Sequence, residues 1–376
     1  MSEYQYYEFQ AVDRPLDETD RKALRALSTR ARITATSFTN SYEWGDFKGN
    51  SAALMDRMFD LHLYWANWGT RRLMIRLPRR LVDDRNLDVF LAEVDEVAIR
   101  PSGDNWILDI TRDEVEPDDE WDDGSGWLAA LAPLRADLLA GDRRLFYLLW
   151  LIAVEAGAFE DDMPEPTPGI GPMSGALQAF ADFCDLDPDL IAAAAERDAE
   201  PQAASADSAR ATVAAMPNDE KAAMLLRLIE GDPHVAAELR ARARHRPGGK
   251  AVTPANAARS VGDLRSRAEQ IRRGREQAAA ERQAAERRRR ADAAEIARRQ
   301  HLDAVARRGE SVWQDIDREI ERRNASGYDK ATGLLLDLHT IAETRGTGAD
   351  FAARLRVLRE RHERKTRLIE RLTGLG

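Results

Sequence analysis

A chain of 376 residues, 43% hydrophobic and 32% charged, is long enough for two or three domains and too apolar to be disordered throughout. Its net charge of -10 is unevenly spread, with 15 Arg against 9 Asp plus Glu over residues 256–310 and 8 basic against 3 acidic residues over 351–371. The remainder carries about -21, and the single cysteine, Cys184, excludes an internal disulfide and a cysteine-built zinc finger.

The opening residues MSEYQYYEFQ have neither the basic nor the apolar region of a signal peptide. The longest apolar run, LFYLLWLIAV from Leu145 to Val154, is about half of what a bilayer span needs. A cytoplasmic protein with no membrane association is expected.

In chain order, near alternation from Tyr4 to Val12 predicts a strand ended by Pro15, and Asp17 caps a helix with Leu24 and Leu27 facing inward. A β-branched strand follows at Ile33 to Thr39. Asn50 or Ser51 then caps a predicted central helix, in which Leu54, Met58, Leu61, His62 and Trp65 follow helical spacing and Met55, Phe59 and Leu63 widen the stripe. An Asn-Trp-Gly turn leads to the strand Leu73, Ile75, Leu77, closed by Pro78. After a short helix near Leu87 to Val94, the runs Val97 to Arg100 and Trp106 to Ile110 flank PSGDN, a hairpin signal.

The acidic run DEVEPDDEWDDGSG, Asp113 to Gly126, reads as an exposed loop. Helices are predicted at Leu128–Ala140, Asp142–Ala158 and Ser174–Phe183, and Asp187-Pro188 opens another. ERDAEPQAASADSA, from Glu196, has linker composition, and the helices Asn218–Glu230 and Pro233–His245 form a hairpin before the RPGGK hinge. From Pro254 to about Asn324 the pattern is one long charged helix, about 100 Å if unbroken. Val261, Leu264, Ala268 and Ile271 begin an apolar seam and Leu302, Val305, Val312, Ile316 and Ile320 end it, whereas Arg275, Ala278, Arg282 and Ala285 occupy its middle. Those half-seams make the long helix a candidate for oligomerisation. Tyr328, Ala331, Leu335, Leu338 and Ala342 share one face of a terminal helical unit completed by Phe351, Leu355, Leu358, Leu368 and Leu372.

The expected architecture is α+β: a mixed α/β domain (1–126), a helical extension (127–196), a linker (197–210), a helical hairpin (211–246), the long charged helix (254–324) and a small C-terminal helical unit (325–376).

Few residues stand out chemically. In EWGDFKG, two acids and a lysine (Glu43, Asp46, Lys48) resemble the end of a metal-dependent nuclease signature, but they precede a Gly-rich turn and have no upstream partner acid, so a structural turn is the plainer reading. His62 lies on the apolar stripe and reads as a core histidine. His234, His245, His301, His339 and His362 have no partner at helical spacing, so no metal site is expected, and nothing calls for a cofactor. GIGPMSG lacks the order of a phosphate-binding loop. Arg287, Arg288, Arg289 and Arg290 can follow a nucleic-acid backbone or pair with neighbouring acids along the helix. The two Trp-bearing turns supply the partner-binding candidates Trp44, Asp46, Lys48, Trp68, Arg71 and Arg72, because polar aromatic loops are where binding residues concentrate.

The words YEFQAVDRPL, LSTRARITATSF, EWGDFKG and ANWGTRRLMIRLP resemble bacterial proteins of unknown activity encoded near SWIM zinc-finger proteins. YDKATGLLLDLH, FAARLRVLRERHERK and LIERL resemble the helical tail of SWIM proteins themselves, without the zinc finger. The resemblance implies a docking tail. A non-enzymatic adaptor is the leading expectation: its folded domain binds one protein partner and its long helix couples to another. The alternatives are a nucleic-acid-binding accessory factor of a defence or DNA-transaction system and, behind it, a metal-dependent nuclease in the N-terminal domain.

Overall fold

The computed structural model describes residues 3–82, 87–116, 122–167, 169–199, 206–244 and 259–375. The expected α+β architecture is borne out, and the chain forms two compact units, residues 1–274 and 275–376.

The first unit is built on one antiparallel sheet. Its strands are β1 (Gln5–Gln10), β2 (Arg32–Ile33), β3 (Ser37–Tyr42), β4 (Leu61–Ala66), β5 (Arg71–Pro78), β6 (Val97–Ser102) and β7 (Asn105–Arg112), in the spatial order β2-β3-β1-β4-β5-β7-β6. Helix α1 (Glu18–Leu27) lies between β1 and β2, and α2 (Ser51–Arg57) carries the chain from β3 across β1 to β4. Asp17 and Asp20 form a reciprocal cap on α1, and Asn50 caps α2 through the Ala53 amide.

Period-two alternation divides the sheet into two faces. Leu61, Leu63 and Trp65 of β4, with Leu73, Ile75 and Leu77 of β5 and Leu108 and Ile110 of β7, join the larger core. That core is closed by α3 (Asp88–Leu91), α4 (Trp127–Leu131), α5 (Pro133–Leu139), α6 (Arg144–Glu155), α7 (Gly175–Phe183) and α8 (Pro188–Ala195). Helix α6 is apolar all round and buries every residue from Leu145 to Val154. On the opposite face Phe9, Phe38, Met74 and Ile107 pack against Leu24 of α1 and against Leu54, Met55, Met58 and Phe59.

The predicted central helix is corrected. It stops at Arg57, and Leu61 to Ala66 form a strand paired with both β1 and β5. Both sides of this stretch are buried, so apolar spacing alone fits either period. What decides is the turn that follows: Gly69 has φ +97, its amide bonds back to the Ala66 carbonyl, and a tight reversal before β5 needs a strand on its near side. Asp60 fixes the helix-to-strand junction. Its buried carboxylate accepts from the amides of Val12 and Asp13 and from Arg76, and its own amide bonds the Gln10 carbonyl.

Three further expectations shift. The acidic run is held to the fold near both ends. Val115 is buried with its amide on the Gly69 carbonyl, and Asp122 accepts the indole N–H groups of Trp65 and Trp127, while residues 117–121 lie outside the described set. The helix predicted from Leu128 to Ala140 is two helices, because Pro133 lacks the amide that would continue α4. The linker composition from Glu196 gives way to helix α9 (Ala206–Ala215), which packs on α11 (Val235–Arg244), as does α10 (Asn218–Ile229); residues 200–205 and the RPGGK hinge lie outside the described residues.

The long helix is also shorter than predicted. Helix α12 runs from Val261 to Arg308 and ends at Gly309, whose φ of +52 separates it from α13 (Glu310–Glu321); residues 254–258 lie outside the described set. Its first seam residues, Val261, Leu264 and Ala268, are buried in the core of the first unit. The second seam, Val305, Val312, Ile316 and Ile320, is buried in the second unit against α14 (Ala325–Arg345), α15 (Gly348–Arg361) and α16 (Thr366–Leu372). Both half-seams are therefore occupied within this chain, and the exposed stretch between them has no apolar seam to offer a second copy.

Candidate functional site

The hairpin of α10 and α11 has its polarity inverted. Met224 is the one buried residue of α10, while Leu225, Leu226, Leu228 and Ile229 are 60%, 55%, 55% and 82% exposed. Leu225, Leu228 and Ile229 stand three and four residues apart and so share one helix face, with Leu226 beside it. Val213 of α9 adds a further exposed aliphatic side chain.

The inward side of the hairpin is ionic. Arg227 donates to Asp232 and to Glu238 at 2.8 and 2.9 Å, Arg80 of the sheet domain donates to Asp232 at 3.2 Å, and Arg242 pairs with Glu220 and Glu238. The Asp232 carboxylate also accepts the His234 amide at 2.9 Å, which starts α11 where the sequence signal Asp-Pro placed it. His234 then reaches the sheet domain, its Nε2 lying 2.9 Å from Asp13. Burial alone would raise Asp13, but hydrogen bonds from His234 and Arg135 outweigh it and hold the carboxyl well below the usual carboxylate range. An ionised Asp13 can only accept, so His234 Nε2 carries the proton.

Asp13 belongs to a buried network. Arg135 of α5 donates to both Asp13 oxygens at 2.9 and 2.6 Å and to the Arg76 carbonyl, and Arg76 donates to Asp60 at 2.6 Å. The hairpin is thus fixed by directional charge-assisted bonds, which set its orientation and leave its aliphatic face outward.

The sequence-predicted contact residues are partly brought together. The turns after β3 and β4 leave the same end of the sheet on either side of the start of β1, since Gln5 pairs with both Tyr42 and Ala66. Trp44 (78% exposed), Asp46 and Lys48 stand in the first turn and Trp68 in the second. Asp46 accepts from Gln5, and Trp68 donates to Thr70, which donates to Asp113. Arg71 departs from the expectation of an accessible contact: it is buried, 4.4 Å from the Trp65 ring, with Nη1 on the Ala66 carbonyl. Arg72 is half-buried and bound at two points to Asp109. Neither arginine stands free beside the tryptophans.

Arg287, Arg288, Arg289 and Arg290 are exposed on α12. Arg290 pairs with Glu286 and Arg287 donates to Gln283, whereas Arg288 and Arg289 have no ion-pair partner among the described residues. Cys184 is fully buried, and burial pushes its thiol up to about 12, which leaves it unreactive. Among the described residues no group of three or more His, Cys, Asp or Glu side chains is arranged to hold a metal ion.

Sequence reasoning missed the outward face of α10, Asp60 and the ionic inner side of the hairpin. The first had a signal, MLLRLI beside charged residues, but composition cannot say which side of a helix faces its own domain. No family model matches the chain, and neither a curated protein nor a solved structure does.

Proposed function

We propose that this protein is a non-enzymatic interaction protein of adaptor type. The outward face of α10 takes a protein partner, and the exposed part of α12 with the second unit serves to couple that partner to another. The observation that carries this reading is the inverted hairpin. Full burial of one large aliphatic side chain is worth about 1.5–3 kcal/mol, so four of them held in water on one short helix stand to gain from a complementary apolar groove. An amphipathic helix read at i, i+3 and i+4 is a common anchor for such grooves. The resemblance of the C-terminal unit to a docking tail supports the second half of the reading.

The test is capture from host extract by the full chain, comparing the wild type with a Leu225→Glu/Ile229→Glu double variant. Captured proteins that disappear with the variant, while its thermal midpoint stays unchanged, support the reading; a partner set identical for both proteins removes it.

A second reading rests on Arg288 and Arg289, which are exposed and make no ion pair among the described residues. In it the α12 arginines lie along nucleic acid. Filter binding across a salt series is then expected to show retention whose logarithm falls by about 0.9 per neutralised phosphate with log salt, and charge reversal at Arg288 and Arg289 is expected to reduce that slope. Retention absent at low salt excludes it.

A further inference from the structure

Helices α1 and α2 cover only part of the second face of the sheet. Beyond them the register sets Tyr7, Tyr64, Arg72 and Thr111 side by side across β1, β4, β5 and β7, each partly exposed. Ala98 of β6, the next strand, stands exposed beside Asp109. Two openings lie along this face. The first, of about 380 Å³, is walled by Tyr7, Tyr64 and Arg72 and by Phe47 from the loop after β3. The second, of about 620 Å³, is walled by Asp95, Glu96, Asp109, Asp113 and Glu114. Arg72 is bound at two points to Asp109, so the openings share that ion pair as their border.

The two ends differ in chemistry. In the first opening the Tyr7 ring lies 4.8 Å from Tyr64 and 5.1 Å from Phe47, and both tyrosine hydroxyls donate to Gln5, which holds the rings in place. The result is a preformed aromatic wall. In the second, Asp95, Asp113 and Glu114 are exposed and make no ion pair among the described residues. Arg112, the one cation among the described residues of that wall, is committed to Glu96 and Glu155 at 3.1 and 3.9 Å. The surplus charge is negative, which repels phosphate and attracts cations.

We propose that this face docks an extended basic peptide of a partner protein. An apolar side chain of the peptide seats against Tyr7, Phe47 and Tyr64, and its Lys or Arg side chains meet Asp95, Asp113 and Glu114. Charge complementarity selects a basic segment, and the strand spacing sets its length. The centres of the two openings are three strand spacings apart, about 14 Å, which about four extended residues span. This surface is separate from the outward face of α10, and neither depends on the other.

The experiment is fluorescence anisotropy of the full chain with labelled octapeptides in which Phe, Leu or Pro stands about four residues before an Arg pair, the rest being Gly and Ser. At least one is expected to bind saturably, with an affinity that falls as salt rises. Replacing its Arg pair by Glu is expected to abolish binding. Asp95→Lys/Glu114→Lys, at two exposed positions, is expected to weaken binding about tenfold with the thermal midpoint unchanged. Tyr64→Ala removes part of the aromatic wall and is expected to weaken the same peptide while leaving one without the apolar residue unaffected. Leu225→Glu/Ile229→Glu is expected to bind as the wild type does. Saturable binding of none of these peptides, equal affinity for the Glu-substituted peptide, affinity unchanged in both site variants, or loss of binding in the α10 variant would each overturn the assignment.

Discussion

Helices α6 and α10 are both twelve residues long and both rich in large aliphatic side chains, yet the fold treats them in opposite ways. Helix α6 buries ten consecutive residues between the sheet and its neighbours, whereas α10 buries Met224 and turns Leu225, Leu226, Leu228 and Ile229 to solvent. The difference lies in what holds each helix. Apolar contact on all sides holds α6. The hairpin containing α10 is fastened by Arg227, Asp232, Glu238 and Arg80, together with His234 on Asp13. Hydrophobic content thus marks surface that needs cover, and only the arrangement of its charges shows whether that cover comes from the same chain.

The contrast can be broken at its strong end first. Trp150→Ala on α6 is expected to cost about 3–5 kcal/mol in urea denaturation, because the cavity is closed on every side. A cost below about 1 kcal/mol would mean that α6 is no better packed than α10. Next in size is the ionic framework that orients the hairpin. Asp60→Ala leaves the Arg76 guanidinium and the Val12 and Asp13 amides without their buried acceptor and is expected to cost about 3 kcal/mol by the same measurement.

A pH series sharpens the account of the sheet on which both helices depend. His62 titrates ordinarily near 6.5 and burial pushes it down to about 3, so the unfolded chain takes up a proton that the folded chain refuses. Its contribution is complete above pH 6.5 and declines as pH falls towards 3, by about 1.4 kcal/mol per pH unit. His62→Phe is expected to flatten the stability profile between those limits; an unchanged slope would show that His62 is not the group responsible. The depressed Asp13 carboxyl adds a loss at lower pH, as the pH falls below the ordinary carboxylate range and through its folded value. The smallest effect is expected on α10 itself, where Leu225→Glu should change stability by no more than about 0.5 kcal/mol.

Much of this architecture was legible in the residues. The alternation of Leu73, Ile75 and Leu77, the PSGDN hairpin, the Asp17 and Asn50 caps and the all-apolar α6 each carried a local signal that the fold kept. The Leu61–Ala66 strand did not, because a stretch buried on both sides loses the period that separates strand from helix. The half-seams of α12 and α13 were visible as apolar spacing, but whether they face a second copy or their own chain depends on non-local packing with Leu335 and Phe351 at one end and the first core at the other. Of the contact candidates, Trp44 and Trp68 stand exposed as expected. Arg71 was lost to the core because its strand position, two residues before Leu73, faces inward.

The central claim is that the outward face of α10 is a partner surface, and the most direct measurement is photocrosslinking in the host cell from a photoreactive residue placed at position 229. A discrete adduct with another protein, abolished when Leu225 and Leu228 are changed to Glu, is the predicted result. A chain that forms no adduct from position 229, or whose adducts persist unchanged in that variant, would contradict it.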